Sequence, residues 1–136
     1  MTSRARTIVP PLGKDAVRLA TAFLTSGTLH LVRPQVFEPI IPRVLPAPRL
    51  LVQVSGVAEI ACGLGLFVPR TRRIAGLASA ALLVAVFPAN VQMSIDHGRR
   101  AARRTDARSL ASFAGTIARL PGQWPLIRTA LRAAGH

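Results

Sequence analysis

The sequence predicts an all-α membrane protein: a four-transmembrane-helix bundle with a proline-rich interfacial loop between its first two helices. Three observations carry that expectation. Half of the 136 residues are apolar and only 17% are charged, whereas a soluble domain typically carries about 25% charged residues. The apolar residues gather in long runs, and arginine clusters separate those runs. Prolines crowd between the first two runs, where a spanning helix is impossible.

The length fits one domain. A formal net charge of +13 raises two possibilities, a nucleic-acid binder or a membrane protein with basic loops. Aromatic residues are 4% and tyrosine is absent, so the stacking platforms of nucleic-acid modules are missing. The arginines flank apolar runs, which favours the bilayer as partner and argues against nucleic acid. Cys62 is the single cysteine, which rules out an internal disulfide or a thiol-exchange pair.

Residues 1–15 form a basic arm with Arg4, Arg6, Lys14 and the pair Pro10-Pro11. Residues 16–134 form the membrane domain, with spans expected at 16–32, 50–68, 74–93 and 119–134. No small-residue cleavage pattern follows the first apolar run, so it reads as an uncleaved span. Arg18 near its end can snorkel toward headgroups. Thr21, Thr25 and Thr28 share one helical face, with Ser26 and His30 roughly opposite. A polar stripe in a membrane helix is expected to face other helices.

The segment from Arg33 to Arg49 holds Pro34, Pro39, Pro42, Pro46 and Pro48 among apolar residues, and reads as a cap folded over one end of the bundle. The second span has Glu59 at its midpoint. Its branched and aromatic side chains favour insertion by ~3–6 kcal/mol, and a central acid costs ~2.5–3.5 kcal/mol. Insertion is therefore thin and needs neighbouring helices. Ala58, Ala61, Cys62 and Gly65 form a face of small residues for close helix approach. After the basic turn at Arg70, Arg72 and Arg73, the third span is uncharged from Ile74 to Ile95. Gly76/Ala80 and Ala81/Ala85 offer it packing faces. Pro88 deprives the Val84 carbonyl of its donor and should kink the helix. Arg99, Arg100, Arg103, Arg104 and Arg108 then read as a solvated loop against anionic lipid headgroups. The fourth span is the weakest: Pro121 and Pro125 interrupt it, and Arg128 and Arg132 lie one turn apart within it. Basic residues fall on both sides, so the positive-inside rule sets no orientation.

Several stretches, in order from about residue 17 to residue 130, resemble the DoxX family of small bacterial four-helix membrane proteins. They are His30 with Pro34 and Phe37, Ile41-Pro42, Leu45-Pro46, Ser55-Gly56 with Glu59, Gly63 to Leu66 leading to Pro69-Arg70-Thr71-Arg72-Arg73, Phe87 to Met93, and Arg119-Leu120-Pro121 with Gln123 and Pro125-Leu126-Ile127. Arg128 and Arg132 depart from the family's pattern, where apolar or small residues are expected. The resemblance implies a multi-pass protein of the inner membrane, associated with oxidoreductase assemblies that are quinone-linked or serve thiol and oxidative-stress systems. Its implied partners are a soluble or membrane redox protein, and its one implied cofactor is a quinone.

Glu59 is the leading candidate residue, because an ionisable group at mid-bilayer is functional by default. Beside His30, Asn90, Gln92 and Ser55 it can relay a proton or bond a quinone carbonyl; alternatively it only locks helices together. If the fourth span lies deep, Arg128 needs Glu59 as its counter-ion; otherwise Arg128 snorkels out. No second ligand stands at metal spacing from His30. Asn90 is expected to satisfy backbone freed by Pro88. Two other functions fit the same residues, a small proton-coupled transporter and a structural protein recruiting partners through its basic loops. The resemblance, together with the central acid, implies a non-catalytic subunit more than an enzyme.

Overall fold

A computed structural model describes residues 10–136. The basic residues Arg4 and Arg6 of the amino-terminal arm lie outside the described residues. All regular structure among the described residues is helical: α1 (Lys14–Val32), α2 (Pro48–Phe67), α3 (Arg72–Arg104) and α4 (Ala107–Ala133), with two 3₁₀ turns at Pro34–Val36 and Glu38–Ile40. Successive helices pack against one another, and α1 meets α4 more loosely. Neighbours run antiparallel: Gly63 of α2 faces Ala20 of α1, Gly65 faces Ala75 of α3, and Gly76 faces Ala130 of α4.

The core is thin, and five of its nine residues are alanine or cysteine. Leu19, Ala20, Phe23, Cys62, Leu66, Ala75, Ala80, Leu83 and Ala130 form it. The exterior is apolar instead: Val54 and Val57 of α2, Ile74 and Val84 of α3, and Trp124 of α4 are all more than half exposed. Two helices, α2 and α3, are long and apolar enough to cross a membrane. In a soluble protein such helices are mostly buried. Here 33% of the most apolar stretch of α2 and 28% of that of α3 are buried.

Four expectations are corrected. First, the arginine-rich stretch after the third span is helix rather than loop. α3 runs 33 residues to Arg104, because Gly98 seats the Phe113 ring and Ala101 is buried against α4. The connection to α4 is only Thr105 and Asp106. Thr105 takes the left-handed conformation, with φ 49°, and Asp106 caps α4 by accepting the Ser109 N–H at 2.8 Å. Second, α4 is one 27-residue helix that passes through Pro121 and Pro125. Contacts with α3 along its length override the local preference to break. Third, Pro48 belongs to α2 as its first residue, where its missing N–H costs nothing.

Fourth, parts of three small or polar faces point elsewhere than expected. Thr21, Thr25 and Thr28 are exposed, and each hydroxyl donates to the carbonyl four residues earlier. That bond satisfies the hydroxyl without a neighbouring helix. On α2 the close approach to α1 uses Gly56 and Gly63, while Ala61 is exposed. On α3, Gly76 and Ala80 are buried but Ala81 and Ala85 are exposed. The proline-rich segment does form a cap, its 3₁₀ turns packing on α2 and α3.

At ~1.5 Å per residue the lengths divide the bundle. α1 and α2, of 19 and 20 residues, measure about 30 Å, whereas α3 measures about 50 Å. Since α3 starts beside the end of α2, its last turns extend beyond the proline-rich cap. Arg99, Arg100, Arg103 and Arg104 stand exposed on this projecting tip, and Arg108 lies at the start of α4.

Candidate functional site

The site lies where α1 and α2 cross. A Cβ on Gly27 would come within 2.6 Å of the Gly56 carbonyl oxygen, and one on Gly56 within 2.8 Å of the His30 Cβ. Without side chains at these two positions the backbones touch, and residues flanking the crossing are brought face to face. Glu59, one turn after Gly56, is 7% exposed. Its Oε1 accepts the Ser26 hydroxyl at 3.3 Å, and its Oε2 lies 2.8 Å from His30 Nδ1. The imidazole N–H is poorly aligned with that oxygen, so neither atom makes a good hydrogen bond there. The contact is a close approach of an acid and a base that a small rotation would align. Phe37 closes the site from the cap, its ring edge-on to His30 with centroids 4.2 Å apart at 85°.

The other residues singled out in the sequence are placed elsewhere. Ser55 donates to the Val52 carbonyl at 3.0 Å. Gln92 donates to Asp96 at 3.1 Å near the charged end of α3. Asn90 donates to Gln123 Oε1 at 2.9 Å, and Gln123 in turn donates to the Leu83 carbonyl. Gln123 of α4 thus reaches the carbonyl of Leu83, next to the Val84 carbonyl that Pro88 leaves without its donor, and the Asn90 side chain bonds Gln123 rather than the α3 backbone. Arg128 makes no pair with Glu59. It lines a groove between α1 and α4 together with Arg18 and Arg132.

Reading the sequence singled out His30, Glu59 and Asn90, but not Ser26 as the partner of Glu59 or Gln123 as the partner of Asn90. Ser26 was open to detection, since it shares a face with His30 one turn away. Gln123 carried no such signal, because its role depends on α4 lying along α3. A quinone carbonyl at this depth requires a free donor. The Ser26 hydroxyl is engaged with Glu59, His30 Nδ1 faces the same carboxyl, and one of the two Asn90 amide hydrogens is taken by Gln123.

These features define an all-helical bundle with an apolar exterior and an acid–imidazole contact buried between its first two helices. Residues 19–134 match DUF8561, a domain of unknown function, and the chain belongs to that family. No curated protein and no solved structure matches it.

Proposed function

We propose that the protein is an integral membrane protein whose four helices all cross the bilayer, and that it serves as a membrane subunit or accessory of an oxidoreductase assembly. The apolar exterior supports the membrane reading, since soluble monomers rarely expose contiguous apolar patches above a few hundred Å². Small residues at the helix crossings, and threonines bonded to their own helix, suit association in lipid. The resemblance to DoxX proteins supports the redox setting.

The observation that carries the reading is the 2.8 Å approach of His30 Nδ1 to Glu59 Oε2 in the middle of the bundle. Between a carboxyl and an imidazole, one proton moves from Oε2 to Nδ1 to turn a neutral pair into an ion pair. The reverse transfer restores it. Ser26 steadies the carboxyl through its other oxygen. Such a pair shifts its internal proton, with no net gain or loss, when a neighbouring redox reaction changes the local charge. The cofactor of that reaction belongs to the partner.

The test is mild extraction from the native membrane. A cofactor-bearing partner is expected to co-purify, and Glu59→Gln should assemble with it yet lower electron transfer by about tenfold or more, within the range of general acid–base effects. Extraction without any such partner counts against the assembly, and full turnover by Glu59→Gln removes the proton role.

A second reading is favoured by the inward-turned donors: the pair only locks α1 to α2. Replacing both His30 and Glu59 with leucine would then leave function intact. Loss of one partner alone is costly in either case, because it strands a buried polar group.

A further inference from the structure

The loosest seam of the bundle is the one between α1 and α4, and a groove of about 480 Å³ runs along it. That volume lies within the range of small-ligand sites, about 300–1,000 Å³. Leu19, Ala22 and Leu126 give it an apolar floor, and Arg18, Arg128 and Arg132 line it as well. The one acid in the groove, Asp15, is 3.3 Å from Arg18. Arg128 and Arg132, one turn apart on α4, have no acidic partner among the described residues. A second groove of about 500 Å³ shares Asp15, Thr129 and Arg132 with the first and brings Lys14 to the same end.

Two unpaired guanidiniums beside an apolar trough call for a ligand that is anionic at one end and hydrocarbon along its length. We infer that the α1–α4 groove holds one anionic phospholipid, its phosphate on Arg128 and Arg132 and an acyl chain along Leu19, Ala22 and Leu126. Guanidinium groups bind phosphate oxygens in pairs, which a lysine cannot do. Basic pockets between membrane helices are suited to anionic headgroups. The groove also explains why arginines occupy the last helix of a membrane bundle: the lipid phosphate supplies the counter-charge that Glu59, turned toward His30, does not. This inference rests on the membrane reading.

Native mass spectrometry of the protein from bilayers mixing phosphatidylcholine and phosphatidylglycerol tests it. Phosphatidylglycerol should remain bound in preference to phosphatidylcholine, and the Arg128→Gln/Arg132→Gln double variant should lower that occupancy roughly tenfold. Circular dichroism should show the variant still helical, and Arg119→Gln, outside the groove, should retain the lipid. Equal retention of the two lipids overturns the proposal while leaving a membrane protein. Displacement of the lipid by inorganic phosphate at matched concentration overturns it too, since the site would then be for a free anion. Conversion of a dimer to a monomer by the double variant, with lipid unchanged, would mean that a second copy fills the groove. A chain that is soluble and free of lipid without detergent sinks both readings.

Discussion

The two halves of the bundle solve the same packing problem in different ways. In the α1–α2 half the helices are short, free of internal proline, and cross on bare backbone at Gly27 and Gly56. That closeness brings one buried acid and one imidazole together. The α3–α4 half is longer, and three prolines lie inside its helices. It uses amides in place of ions: Gln123 reaches the Leu83 carbonyl and is held by Asn90. Many of its ionisable groups sit at the tip or in the α1–α4 groove, with Arg72 and Arg73 at the start of α3 and Arg119 midway along α4. The contrast teaches that glycine contacts bring the helices together in both halves, at Gly27 and Gly56 in the first and at Gly76 in the second. The polar group added beside them differs: an acid and an imidazole where the helices lack internal proline, side-chain amides where they contain it.

The sharpest way to break the comparison is to overfill the crossings. Gly27→Val is expected to cost at least about 1–3 kcal/mol, the usual range for overpacking, because its Cβ would meet the Gly56 carbonyl oxygen at 2.6 Å. Gly76→Val should cost a similar amount through the Ala130 oxygen at 2.7 Å. Gly115→Ala, where nothing lies within 4 Å, should be neutral or stabilising. Thermal unfolding in detergent reads all three, and a Gly27→Val protein that melts with the wild type would show that the crossing does not hold the first half together.

A smaller effect is expected at the amides. Gln123→Leu should cost about 1 kcal/mol, as it removes the side-chain bond to the Leu83 carbonyl and leaves the Asn90 amide without its partner. Adding Asn90→Leu should cost less in that background than alone. Additive losses in the same melting experiment would mean the two amides act independently.

The smallest effect belongs to the tip. The Ser109 backbone N–H holds the Asp106 carboxyl below the usual aspartate range, with the Ser109 hydroxyl and Arg104 adding to the effect. A lowered folded-state value means that the cap stabilises the start of α4 at and above the usual aspartate range. That support is lost as pH falls through the folded-state value. Hydrogen exchange at Leu110 and its neighbours should therefore speed up on acidification beyond its intrinsic rate. Asp106→Ala should abolish that extra dependence, and Asp106→Asn should keep most of the cap at all pH values. Retention of the extra dependence in Asp106→Ala would place the titrating group elsewhere.

Much of the architecture was legible. Apolar runs marked α1, α2 and the first two thirds of α3, because their periods and lengths are local properties. The cap was legible from its prolines. The extension of α3 to Arg104 and the continuity of α4 were not, since arginine runs and internal prolines locally favour ending a helix. At the site, Glu59 stood out as the lone acid of a span and His30 as the histidine near it. Asn90, Gln92 and Ser55 were grouped with them by depth alone, and depth does not fix the direction in which a side chain points.

The sequence by itself determined that the chain is helical, that its apolar surface exceeds what a core this small can bury, and that an acid sits halfway along its second helix. Those facts follow from composition and spacing, which act at short range. Only the tertiary structure decided that Glu59 meets His30 and Ser26 rather than Arg128, and that Gln123 rather than Asn90 reaches the backbone of α3. Each of these depends on which faces of two helices touch, and that is set by where glycine lets the backbones approach.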